Sequence, residues 1–152
     1  MKLKINGIIE NIKAYSARGD AGKELKEARL IENSGLDGDF HATGGDRQLS
    51  LLIAETKDQI KEQTEKGLCL LRFKENITIR GIDPKMLHPG VQLVIGEATL
   101  TITGETKRCF LECPLFEAGK RCPLAGLSLF ARVIKSGTIR VGDTITALLR
   151  EE

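Results

Sequence analysis

Apolar and polar residues alternate in short stretches along this chain, and Gly, Pro and Asn interrupt them. Leu3, Ile5 and Ile9 share one side of a first predicted strand, and residues 28–31 form a plausible short one. The stretch 35–46, with Gly35, Gly38, Gly44 and Gly45, has no strand or helix period. Residues 48–53 read as a buried strand leading into a helix over 57–66, where Thr56 and Gln59 match a capping box and Gly67 a stop. The polar face of that helix predicts an outer position. Ile77 and Ile79 alternate, then Asp83-Pro84 and His88-Pro89-Gly90 mark turns. Val91, Leu93, Ile95, Leu100 and Ile102 alternate around Gly96-Glu97, which predicts a hairpin. Two further strands are expected over 129–134 and 144–149, with Gly137, Gly142 and Asp143 separating them. Many short strands and a single convincing helix predict a mainly β protein, a closed or nearly closed barrel.

The chain has 152 residues, enough for one domain with a real core, and a single domain over 1–152 is expected. Hydrophobic residues make up 41% and charged residues 29%, an ordinary globular balance. A net charge of +2, with one Tyr, five Phe and no Trp, argues against a nucleic-acid partner. No apolar run approaches the roughly 18 residues that would span a membrane, and no signal peptide is read at the start. A cytoplasmic location is therefore expected. There, clustered cysteines are more often metal-binding or reactive than disulfide-bonded.

Three of the four cysteines, Cys109, Cys113 and Cys122, fall within 106–123. Lys107 and Arg108 precede the first, Lys120 and Arg121 the third, and neighbouring cations favour the thiolate. The first spacing suits zinc, but zinc sites favour two close pairs and only one is present. Buried thiols without function are the other reading for Cys113 and Cys122, and core packing is the expectation for Cys69. In 35–48, Asp39 and His41 are two apart and would point the same way if extended. The Gly44 and Gly45 amides could form an anion nest, and Arg47 offers a fork for phosphate or carboxylate. A glycine-rich turn whose Asp residues cap their own backbone explains the same stretch equally well. Asn76 either orients a ligand or caps a turn, and elementary physics favours the turn. No P-loop or dinucleotide-binding spacing is present, and no Ser/His/Asp triad can be defended.

Together the stretch 35–41, the run 46–52, Phe73 to Thr78 with Gly81-Ile82, the pair 91–97 and 100–103, and the segments around 130–134, 136–137 and 141–143 resemble the MOSC domain family. That family is named after the C-terminal domain of molybdenum cofactor sulfurase. The resemblance covers nearly the whole chain and is closest to small stand-alone bacterial members. It implies a mixed β-barrel similar to the pyruvate kinase β-barrel domain. It also implies binding of molybdenum cofactor (molybdopterin), or sulfur carried on a reactive cysteine. Cys109 matches the family cysteine, which is a molybdenum ligand in the amidoxime-reducing relatives. Asp39, His41, Gly44, Gly45, Arg47, Asn76, Lys107 and Arg108 would line the cofactor site, with Cys113 and Cys122 as further metal ligands. A cysteine desulfurase or a molybdoenzyme is the implied protein partner, and pyridoxal phosphate is expected on such a desulfurase, not on this chain. Two alternatives stand beside this reading, a zinc-stabilised binding module without catalysis and a thiol-redox protein. The chain departs from many relatives in having Glu105-Thr-Lys-Arg108 where they have Pro-Arg-x-Pro, and Phe110 where a subgroup has His.

Overall fold

The computed structural model describes residues 3–17, 22–39, 42, 44, 45, 48–55, 58, 75–103 and 129–149. Within them the elements are β1 (Leu3–Ala14), β2 (Lys23–Leu25), β3 (Glu27–Ile31), β4 (Gly35–Leu36), β5 (Leu49–Ile53), β6 (Ile77–Arg80), a 3-10 turn (Pro84–Met86), β7 (Gln92–Ile95), β8 (Ala98–Ile102), β9 (Leu129–Lys135), β10 (Gly137–Arg140) and β11 (Thr144–Leu149).

Seven of these strands close a ring in the order β11-β7-β8-β9-β5-β6-β1, because β1 also pairs β11. Leu3 lies opposite Leu149 and Ile8 opposite Thr144 in that closing pair. Among the described residues β5–β6 is the parallel pairing, with Leu51 opposite Ile77 and Ile53 opposite Ile79; the rest of the ring is antiparallel. The predicted closed mixed barrel is thus present. β2 extends the sheet beyond β1, and β10-β3-β4 form a small second sheet.

Period two explains the core. Leu93, Ile95, Ala98, Leu100 and Ile102 point inward from the predicted hairpin, and the residues between them are half exposed. Leu49, Leu51 and Ile53 do the same from β5, and Ile77 and Ile79 from β6. In β5 all five residues are buried, so its outer face is closed from solvent too. That is what a near-continuous apolar run beside a parallel partner leads one to expect.

Several expectations are corrected. The first strand does not end at Ile9 but runs to Ala14, with a register shift between Ile9 and Asn11 against β6. Ile8 is outside, 44% exposed, as the alternation requires, but the bulge shifts the phase so that Ile9 and Ile12, three apart, are both inside. Gly137 does not separate strands; it opens β10, where a Cβ would stand 2.6 Å from the Ala98 amide nitrogen. The stretch from Gly35 is not without structure at its start, since Gly35 and Leu36 pair with Ile31 and Leu30. Ala54, Glu55 and Asp58 are helical, but the helix expected over 57–66 otherwise lies outside the described residues. Arg80 ties β6 to that start, its Nε donating to Glu10 at 2.6 Å and its Nη2 to Asp58 at 2.9 Å. These two hydrogen bonds, Glu10 first, hold its pKa above the ordinary value.

Candidate functional site

The chain turns back on itself after β3. Asn33 sits at φ 58 in that turn, and the loop that follows is wound by its own backbone. The Asp39 amide donates to Leu36 O at 3.1 Å, and Ala42 N donates to Asp39 O at 3.1 Å. Ser34 Oγ donates to Ala42 O at 3.1 Å, and Gly44 N donates to Ser34 O at 3.3 Å. Gly35 lets this coil lie close: at φ 138, a Cβ there would fall 2.8 Å from Gln48 O and 3.2 Å from Ala42 Cα. Gln48 in turn accepts the Val133 amide on its side-chain oxygen at 3.0 Å, so the loop's far end is fixed to β9.

Asp39 is therefore in a turn, not an extended piece. Only 6% exposed, it accepts the Tyr15 amide on Oδ1 at 2.8 Å. A buried carboxylate needs such charge-assisted partners to offset lost hydration. Tyr15 completes the contact by donating its hydroxyl to Glu75 O at 3.2 Å. The glycine-rich loop is thereby held against the end of β1 and the entry to β6.

Asn76 stands beside this contact and is 1% exposed. Its Oδ1 accepts from Ser50 N at 3.1 Å and Ser50 Oγ at 3.2 Å, while its Nδ2 donates to Lys13 O at 3.1 Å. It caps no local turn; it joins β1, β5 and β6 through its side chain. Ser50 is opposite Phe130 in the β5–β9 pair. Phe130 O accepts from Thr103 N at 3.0 Å and from Thr103 Oγ1 at 3.3 Å. One row of contacts thus crosses the barrel wall from Thr103 through Phe130, Ser50, Asn76 and Lys13 to Tyr15 and Asp39.

Of the residues singled out in the sequence, Asp39, Gly44, Gly45 and Asn76 lie within the described residues. Asp39 and Asn76 share this row; Gly44 and Gly45 follow in the loop at φ 84 and φ 85. His41, Arg47, Cys69, Lys107, Arg108, Cys109, Cys113 and Cys122 lie outside the described residues. Sequence reasoning missed Tyr15, Gln48 and Ser50. Being the chain's lone tyrosine was the one signal Tyr15 gave; Ser50 and Gln48 gave none beyond interrupting an apolar run. Among the described residues no three His, Cys, Asp or Glu side chains gather as a metal site. No helix of the described residues is long and apolar enough to cross a membrane.

These features define a small closed mixed barrel whose wall anchors a glycine-rich loop on one side and the exit of β8 on the other. The chain belongs to the MOSC domain family, whose sequence profile matches residues 37–146. That family is associated with molybdenum cofactor binding or sulfur chemistry. Among solved structures, the chain is similar to the YuaD protein from Bacillus subtilis, with TM-score 0.73, 16% identity, and 99% of this chain and 100% of that one covered. It is also similar to YiiM from Geobacillus stearothermophilus, with TM-score 0.65, 17% identity and coverage of 95% and 75%. YiiM from Escherichia coli gives TM-score 0.59, 18% identity and coverage of 97% and 71%. At such identities these likenesses concern the fold. No curated protein matches the sequence.

Proposed function

We propose that this protein binds molybdenum cofactor and that Cys109 is its reactive thiolate, either ligating molybdenum or carrying sulfur. The observation that carries the reading is the anchoring of the cysteine segment. Thr103 follows the end of β8, and at the start of β9 Phe130 O accepts both Thr103 donors. Both anchors of the intervening segment therefore sit on the row that includes Asn76 and ends at Asp39. Cys109 lies six positions after Thr103, a reach of at most roughly 20 Å. The family match covers the same stretches, from Asp37 past Cys109.

The donor set suits the group. Arg47, Lys107 and Arg108 are the cations that would hold the pterin phosphate, and the last two also favour the thiolate of Cys109. The Gly45 amide and His41 would complete the pocket, with Cys113 and Cys122 as further soft ligands. Within the described residues, Asp39 and Asn76 serve a different part of the task. Asp39 accepts from Tyr15, and Asn76 bonds Ser50 and Lys13, so both would hold the pocket walls in place. When bound, the cofactor supplies the redox couple of molybdenum. A cysteine desulfurase is the class of partner that would deliver sulfur to Cys109, and a reducing compartment such as the cytoplasm suits the clustered thiols.

The test is metal, pterin and cyanolysable-sulfur analysis of wild type and Cys109→Ser, purified from a molybdate-fed, cofactor-competent host. Molybdopterin or labile sulfur on wild type, lost in the variant, is the expected result. Equal pterin in both with no labile sulfur overturns the reading, and so does stoichiometric zinc in place of molybdenum.

A further inference from the structure

Away from this row, a groove of about 520 Å³ is lined by Gly96, Glu97, Thr138, Arg140, Asp143 and Thr144. Its size falls within the roughly 300–1,000 Å³ range of ligand pockets. One wall is the edge of β10 that pairs no strand among the described residues. β10 pairs β3 antiparallel, with Thr138 opposite Arg29 and Arg140 opposite Glu27. Antiparallel residues alternate between facing the partner and facing away. Val141 N donates to Lys26 O at 2.9 Å, which places residues 137, 139 and 141 in the facing set. Arg29 O is turned the other way, toward Asp37 N at 2.9 Å. The N–H and C=O of Thr138 therefore point out of the edge of β10.

The equivalent groups of Arg140 are taken. Its amide donates to Asp143 Oδ2 at 2.8 Å, and its carbonyl accepts from Asp143 N at 3.0 Å. At the other end Gly137 backs onto Ala98, with no room for a Cβ. Within β10, Gly137 and Ile139 face β3 and Arg140 is taken, so Thr138 is the one residue that offers a donor and an acceptor spaced to meet the complementary pair of one antiparallel residue. Charge narrows the occupant. Glu97 and Asp143 line the groove and Glu27 pairs with Arg140 at 3.0 Å, so three carboxylates stand against two guanidiniums, Arg140 and the Arg29 opposite Thr138.

We propose that this groove binds a short extended peptide bearing lysine or arginine, which adds to β10 through the backbone of Thr138. Strand addition takes its affinity from main-chain bonds and its selectivity from flanking side chains. Here Glu97 and Asp143 select cationic residues on either side of the paired one, and a phosphate-rich partner is repelled. The site is independent of the cofactor reading and stands or falls separately from it.

The test titrates the ¹⁵N-labelled full chain with a capped Val-Lys-Val-Lys-Val peptide and, in parallel, its Glu counterpart. Saturable shifts centred on the Thr138 amide with the lysine peptide alone, weakening as salt is added, are expected. Thr144→Trp fills the groove from an exposed position and should weaken binding about tenfold or more; Thr138→Pro removes the donor itself. An unmoved Thr138 amide at millimolar peptide, equal response to the Glu peptide, or undiminished binding by Thr144→Trp overturns the proposal.

Discussion

Ser50 in β5 and Asn76, the residue just before β6, hydrogen-bond one another through both backbone and side chain. Asn76 N donates to Ser50 O at 2.9 Å and Ser50 Oγ at 3.1 Å, and Asn76 Oδ1 accepts both the amide and the hydroxyl of Ser50. Asn76→Leu keeps the bulk but leaves the Ser50 amide and the Lys13 carbonyl without their side-chain partner. Each orphaned buried group costs about 1–3 kcal/mol, so a loss of about 3 kcal/mol in urea unfolding is expected. Asn76→Asp keeps the acceptor and loses the donor, and should fall between that variant and wild type. A loss too small to measure in Asn76→Leu would show that this pair does not stabilise the wall.

Asp39 gives a prediction that separates holding a loop from holding a ligand. Its role toward Tyr15 needs an acceptor, not a charge. Asp39→Asn keeps an acceptor for the Tyr15 amide and should cost less stability than Asp39→Ala, which strands that buried amide at about 2 kcal/mol. Molybdenum content per folded protein should follow wild type in Asp39→Asn. A collapse of that content at unchanged stability would instead place the carboxylate in contact with the cofactor.

Gly35 and Gly38 both have positive φ, and only one is crowded. Gly38 at φ 86 has open space around a built Cβ, so Gly38→Ala should cost only the left-handed backbone term of about 1–2 kcal/mol. Gly35→Ala adds a clash with the Gln48 carbonyl at 2.8 Å and should cost clearly more. Thermal unfolding of the two variants side by side measures the difference; equal losses would rule out the close packing of loop against β5.

Gln48 is 1% exposed and carries the Val133 amide. Gln48→Leu should cost about 2 kcal/mol and leave that amide without its acceptor. Native-state hydrogen exchange should show it directly, as faster exchange at Val133 than at neighbouring β9 amides. Unchanged protection at Val133 would count against the bond.

Legibility in the sequence followed the regularity of the pleat. The hairpin of β7 and β8, and strands β9 and β11, could be read because alternate side chains enter the core, and β5 because its continuous apolar run marks a strand buried on both faces. β1 was read short because its bulge shifts the phase after Ile9. β10 was not read at all, since only Gly137 and Ile139 face inward there and a glycine looks like a break. The site was legible as a set of stretches but not as an arrangement. Asp39 and Asn76 were singled out, yet their partners Tyr15, Ser50 and Lys13 lie between 24 and 63 positions away along the chain. Such pairings follow from barrel closure and stagger, which no local period encodes.

The closing pair, Leu3 opposite Leu149, sets an order of events in the cell. β1 is made before β11, so the edge from Leu3 to Ile8 has no partner until β11 follows. While the strands between them are made that edge must wait, with core-facing Ile9 beside it not yet covered. Long-range pairings of this kind fold slowly and expose unpaired edges to aggregation. The ring is therefore sealed only after translation has passed β11, and the interval before sealing is when this chain most needs a chaperone.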